Sequence, residues 1–68
     1  MRTFHLEANY DAEHNEVVIA GNEFALISVC REILQLLESE APGAHIHLDE
    51  VHGLAGNVAC VTIFKEDV

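Results

Sequence analysis

The chain has 68 residues, the size of one small domain, and its 12 acidic residues against 3 basic ones give a formal net charge of -9. An acidic chain repels nucleic acid and anionic membranes, so we expect neither as a partner, and a basic protein is favoured instead. Half of the residues are hydrophobic, yet a domain this small buries only about 60% of its unfolded surface. We therefore expect residues 1–68 to form a single domain that keeps apolar surface for a partner or a second subunit.

Two strand-like segments open the chain. Apolar and polar side chains alternate in residues 2–10, which is typical of a half-buried strand. Residues 16–20 contain a β-branched run that favours a second strand, and the polar residues 11–15 have the length of a hairpin connection. The segment that opens the chain is not an apolar signal region, so we expect a cytoplasmic protein.

Residues 23–40 have the clearest helical period in the chain. At about 100° per residue, the apolar side chains from Leu26 to Leu37 all lie on one half of the helix. This arrangement is typical of a helix that packs along a core. Asn22 is well placed to cap the first turn, and Pro42 disfavours helical geometry in the residue before it.

Two positions of this helix are not explained by its amphipathic pattern. Phe24 lies on the polar side, so it either packs under the preceding turn or is an exposed anchor for a partner. Glu38 lies in the last turn, where an acidic side chain faces the negative end of the helix dipole. We predict both residues as partner-binding positions.

Two further strands follow the helix. Residues 44–49 alternate and place His45, His47 and Asp49 on one face. Residues 58–65 are apolar on both faces, which predicts a central strand that is covered on both sides.

The order strand, strand, helix, strand, strand predicts an α+β fold. We expect a ββαββ arrangement, in which a four-stranded, mainly antiparallel sheet carries the helix on one face and residues 50–57 form a loop. The opposite face stays uncovered, so we expect that face or an exposed sheet edge to form a homodimer. Cys30 and Cys60 lie in apolar segments, which predicts two buried, reduced thiols.

The histidines of residues 44–49 are the strongest candidates for a site. His45 and His47 share a face and could bind one metal together with His5, but alternating polar residues on an open strand are common without a metal. We therefore predict that His45, His47 and Asp49 bind a partner. A single helix on four strands leaves little depth for a catalytic pocket, so we predict no enzyme activity, no catalytic residues and no cofactor.

Several features between residues 18 and 61 point to a known family. They are a strand that ends in Ile-Ala-Gly-Asn, a Leu-rich helix, and a Gly-Ala-His-Ile-His-Leu-Asp strand at residues 43–49. In these features the segment resembles immunity protein family 32 of bacterial polymorphic-toxin systems, and His47-Leu48-Asp49 is its most specific part. The resemblance implies a non-enzymatic protein that binds and blocks a toxin made by its own cell.

An acidic inhibitor suits a cognate toxin with a basic cleft, so the predicted partner is a cognate protein such as a basic toxin. Two other functions stay open. One is a histidine-based metal-binding or small catalytic protein that uses His45, His47 and Asp49. The other is a self-associating structural domain.

Overall fold

A computed structural model of the chain describes residues 3–66, which form one helix against a layer of short strands. The molecule is a slab that measures 36 × 36 × 18 Å along its principal axes. In chain order its elements are β1 (Leu6–Asp11), β2 (Glu16–Gly21), α1 (Glu23–Glu38), β3 (His45–Asp49), a 3₁₀ helix (Glu50–His52), β4 (Leu54–Ala55) and β5 (Cys60–Phe64).

The strands form two sheets. In the first sheet β1 is central and pairs antiparallel with β2 on one side and parallel with β4 on the other. In the second sheet β3 and β5 pair antiparallel, and His45 lies opposite Phe64. Both sheets contribute to one core, because buried residues of β1, β4, β3 and α1 form one hydrophobic cluster.

The core is small and lies under the first half of α1. Its buried residues are aliphatic, and Val61 and Ile63 of β5 pack against them, so this face of the last strand is the inner one. Of the apolar side chains that alternate through residues 2–10, Leu6 and Ala8 are buried, whereas Phe4 and Tyr10 are exposed. The buried residues of this cluster are Leu6, Ala8, Ala25, Leu48 and Leu54.

The predicted α+β class with one helix is confirmed, but the single four-stranded sheet is wrong. The described residues form five strands in a three-stranded and a two-stranded sheet. The extra strand, β4, lies in the segment predicted as a loop. It pairs with β1, and Gly56 (φ 99°) then turns the chain at a point where any side chain would collide with the carbonyl oxygen of Ala8.

The predicted central position of the last strand is also wrong. Within residues 3–66 β5 pairs with β3 alone. The apolar residues on both faces of β5 therefore do not indicate that both faces are buried. Val61 faces the core, whereas Cys60 and Phe64 are exposed. Cys60 and Cys30 are both free thiols, as predicted, but both are exposed rather than buried.

Side chains from outside the helix satisfy both of its ends. The Asn22 side-chain oxygen accepts a hydrogen bond from the Ala25 backbone N–H at 3.0 Å, as predicted for an N-cap. The helix ends at Glu38 with Ser39 as its C-cap, two residues earlier than predicted. Its last turn has no basic residue of its own. The Lys65 ammonium donates to Ser39 O (2.7 Å) and to Leu37 O (3.2 Å), which offsets the acidic end of the helix.

Candidate partner-binding surfaces

The exposed face of β3 and β5 brings together side chains that sequence alone could not place in register. His45 packs against Phe64 with ring centroids 4.9 Å apart, and against His47 at 4.7 Å in an edge-to-face arrangement. These rings present both apolar area and hydrogen-bonding nitrogens, which suits contact with a protein. We call this face the histidine surface; its residues are His45, His47, Cys60, Thr62 and Phe64.

Hydrogen bonds orient the two imidazoles. His45 Nδ1 lies 2.8 Å from the carbonyl oxygen of Gly43, so in the hydrogen-bonded tautomer Nδ1 donates. His47 Nδ1 lies 3.0 Å from Thr62 Oγ1 and 3.7 Å from Cys60 Sγ. Because Nδ1 of each ring has a partner on its own chain, Nε2 is the nitrogen through which each ring can recognise another molecule.

Asp49 belongs to the same strand, but its carboxylate is used locally. It accepts hydrogen bonds from the His52 backbone N–H (3.2 Å) and pairs with His52 Nδ1 (2.8 Å), so that it caps the 3₁₀ helix. The hydrogen bond from the His52 side chain is the main reason that the pKa of Asp49 lies below its ordinary value of 3.8. The spacing Asp-x-x-His-Gly in the sequence is the signal that could have revealed this pair.

A shallow groove adjoins the histidine surface. It has a volume of about 460 Å³ and lies between the second half of α1 and β3. Glu32 and Gln35 of the helix line one side, and His45, His47 and His52 line the other. The groove therefore places an acidic side chain of the helix opposite the three imidazoles.

The other two predicted binding residues lie elsewhere on the helix. Phe24 is half-buried and packs edge-to-face on Phe4 at 6.1 Å between ring centroids, which matches the interpretation of Phe24 as a packed aromatic. Glu38 is exposed at the last residue of the helix. At about 1.5 Å per residue the two positions are about 21 Å apart along the axis, so they do not form one patch.

The histidines of the alternative metal site do not gather into a ligand group. Among residues 3–66, the group within metal-binding distance is Asp11, Glu13 and His14, and it lies in the turn between β1 and β2. The Asp11 carboxylate there accepts from the Glu13 backbone N–H (3.0 Å) and pairs with His14 Nδ1 (2.6 Å), so the cluster is explained by the turn. The same His14 contact lowers the pKa of Asp11. His5 lies near Glu7 instead, at 3.9 Å.

A second surface was not foreseen, because the whole apolar half of the helix was predicted to face the core. Ala25 and Leu36 are buried, but the apolar residues on the neighbouring side of the helix are exposed, Leu34 by 58%. The sequence feature that indicates this exposed surface is the width of the apolar sector of the helix, about 180°, which is more than one sheet can cover. We call this the helix–β2 surface; its residues are Val17, Ile19, Leu26, Ile27, Cys30, Leu34 and Leu37.

The comparison with protein families decides what kind of protein this is. The family model of immunity protein 32 matches residues 16–65, which include β2, α1 and the entire histidine surface. The chain belongs to the immunity protein 32 family. Immunity proteins are in general inhibitors that bind a cognate toxin rather than enzymes, so membership supports a general immunity-like role. No curated protein and no solved structure matches the chain.

Two points complete the description of this family member. The match begins at the first residue of β2 and runs through the residue that follows β5, so β1 lies outside it although β1 is central in the first sheet. In the portion of the chain that the structure describes, no helix combines the length and apolarity needed to span a membrane.

Proposed function

We propose that this protein is a cytoplasmic, acidic inhibitor that binds a cognate toxin and blocks it. The observation that carries the proposal is the match of the immunity protein 32 family to residues 16–65. The net charge of -9 supports a toxin with a basic surface, since opposite fields accelerate encounter and favour the correct partner. The partner is a protein and not a nucleic acid or a membrane.

We propose the histidine surface and its adjoining groove as the toxin-binding site. His45 and His47 supply two imidazole edges beside the 62% exposed ring of Phe64, a combination of aromatic area and polar groups that is typical of binding hot spots. Asp49 shapes the end of β3 through its contact with His52. In this proposal Glu38, next to Ser39 of the groove, belongs to the rim of the site, and Phe24 at the other end of the helix is a separate contact.

The decisive experiment is to identify a toxin gene next to the gene for this protein and to co-express the two. The wild-type protein should restore growth and co-purify with that toxin. The double variant H45A/H47A should weaken the complex by at least about tenfold, as expected when two central polar aromatic contacts are removed. His14→Ala removes an exposed histidine from the turn between β1 and β2 and should leave binding unchanged, which makes it the matched control.

The outcomes separate two claims. If the wild-type protein neither protects cells nor binds the toxin, the inhibitor role is wrong. If the wild-type protein binds and H45A/H47A binds equally well, the role stands and the histidine surface is the wrong site. The association rate should also fall as salt rises, because the Debye length shortens from about 30 Å at 0.01 M salt to about 8 Å at 0.15 M.

We also propose that the protein is a homodimer, since a small domain with surplus apolar residues gains stability from a second subunit.

A further inference from the structure

The surface area of the chain is larger than that of a compact monomer of its mass. A folded monomer of this size should expose about 4,250 Å² on the scaling observed for monomeric proteins. This chain has a mass of 7.5 kDa and exposes 5278 Å². The excess of about 1,000 Å² is close to the roughly 800 Å² that each partner buries in a standard stable interface.

Several of the exposed large apolar residues lie along one side of the helix, namely Leu26, Ile27, Leu34 and Leu37. Ser28, Glu32 and Gln35 line grooves that border β3 and the 3₁₀ helix, so the polar flank of the helix faces that side. The helix also contacts β2, and its opposite flank therefore lies over the β2 side of the layer.

Two exposed residues of β2 extend this flank. Tyr10 pairs with Val17 and Ala8 pairs with Ile19, so Val17 and Ile19 share the face of the sheet on which the helix lies. Val17 is 58% exposed and Ile19 is 47% exposed. The helix–β2 surface is thus an apolar patch formed by two neighbouring elements.

The spacing along the helix suits a second helix of the same kind. Leu26, Cys30, Ile33 and Leu37 follow steps of four, three and four residues, which is the repeat of a helix-pairing seam. Leu34 lies beside this seam and is one of the most exposed apolar residues of the helix. Two identical apolar seams can pair about a two-fold axis, because the same patch then serves both subunits.

The distribution of charge also favours a second copy of the chain as the partner at this patch. The acidic residues of the helix flank or end the seam, and the residues that make the seam are uncharged. Two copies that meet here bury apolar side chains along an uncharged seam, although each copy carries a net charge of -9. A basic toxin would find few partners for its charges in the same patch.

We propose that the helix–β2 surface is the contact between two copies of this chain, with α1 pairing against α1 of the second copy. The inference rests on the homodimer proposed above and adds the surface through which it forms. It leaves the histidine surface of each subunit open to a toxin, so that dimer formation and inhibition use separate parts of the protein.

Mass measurement in solution by light scattering tests the proposal. The wild-type protein should have twice the 7.5 kDa mass of one chain, and the variant L34E/L37E should have the mass of one chain because it places four carboxylates in the contact. Val51→Glu is the control for added charge: Val51 is 89% exposed in the 3₁₀ helix, so V51E adds one carboxylate per chain outside the contact and should stay dimeric.

Thiol labelling gives a second measurement that needs no change in the contact. Cys30 lies in the proposed contact and Cys60 lies on the histidine surface, and both are exposed in one subunit. In the dimer, Cys30 should react with a thiol reagent at least about tenfold more slowly than Cys60, and dilution into the monomer should remove the difference.

The proposal is overturned by a wild-type protein of single-chain mass at all concentrations, by an intact dimer in L34E/L37E, or by equal labelling of Cys30 and Cys60 in the dimer. None of these results depends on the toxin. Failure of the proposed dimer contact can therefore be distinguished from failure of the inhibitor role.

Discussion

The helix–β2 surface and the histidine surface differ in chemistry, although both lie on the same thin layer. The first is a patch of aliphatic side chains with a cysteine, and no hydrogen bond of the described residues joins its side chains. In the second, each imidazole has a hydrogen-bond partner and an aromatic neighbour. An apolar patch favours permanent burial, whereas polar aromatic groups can stay hydrated until a partner arrives. The contrast indicates that one small domain can divide self-association and partner binding between two surfaces.

Gly56 lies in the segment that leads from β4 of the first sheet to β5 of the second, and a substitution there should have the largest effect. Gly56→Ala would require an alanine at φ 99° and would collide with Ala8 O, so we expect a loss of at least about 3 kcal/mol of unfolding free energy. Urea denaturation measures this loss. The matched control is Gly43→Ala: Gly43 also has a positive φ (70°) but open space around it, and only about 1–2 kcal/mol should be lost.

An equal loss in both glycine variants would mean that the backbone angle alone matters. The contact between the segment after β4 and β1 would then not be what holds the two sheets together.

The next largest effect should come from Asn22, which caps the helix that carries most of the helix–β2 surface. Asn22 Oδ1 caps α1, and its Nδ2 donates to Thr3 O at 2.6 Å, so Asn22→Ala should lower the unfolding free energy by about 1–2 kcal/mol. Asn22→Asp keeps the capping oxygen and should retain most of the stability. A melting curve followed by circular dichroism distinguishes them. Equal stability of the alanine variant and the wild type would show that the cap contributes nothing.

Lys65 connects the two regions from the other end of the helix. Its ammonium donates to the final carbonyl groups of α1 from a position that follows β5, so Lys65→Met should lower the unfolding free energy by about 0.5–1 kcal/mol. Lys65→Arg keeps the charge and should lose less. If the methionine variant is as stable as the arginine variant, the charge at the helix end is not important. Chemical denaturation of the two variants side by side makes the comparison.

The smallest effect should be the pH dependence of Asp49, whose carboxylate caps the 3₁₀ helix at the end of β3. Because the pKa of this carboxyl lies below 3.8 in the folded protein, its contribution is present above the ordinary pKa and is lost as pH falls through the folded value. Asp49→Asn should therefore lower the Tm at pH 7, and the difference from the wild type should shrink below about pH 4. A difference in Tm that is constant with pH would exclude the charge as its origin.

The sequence by itself determined the features that depend on local chemistry. The helix follows from its 3.6-residue period, and its cap follows from the short polar side chain of Asn22. The strand that contains His45 and His47 follows from simple alternation. Each of these signals depends on neighbours within a few residues, which is why it is visible without the fold.

Only the tertiary structure decided how those elements pair and pack against one another. Apolar residues on both faces of the last strand predicted a central position, yet the chain turns at Gly56 and leaves Phe64 and Cys60 exposed. The helix has a wider apolar sector than the layer can cover, so Leu34 remains outside. Both outcomes depend on contacts between residues that are far apart in the chain, such as Gly56 against Ala8, and on how much area a small layer can bury. Periodicity reports that a side chain is apolar but not which surface covers it.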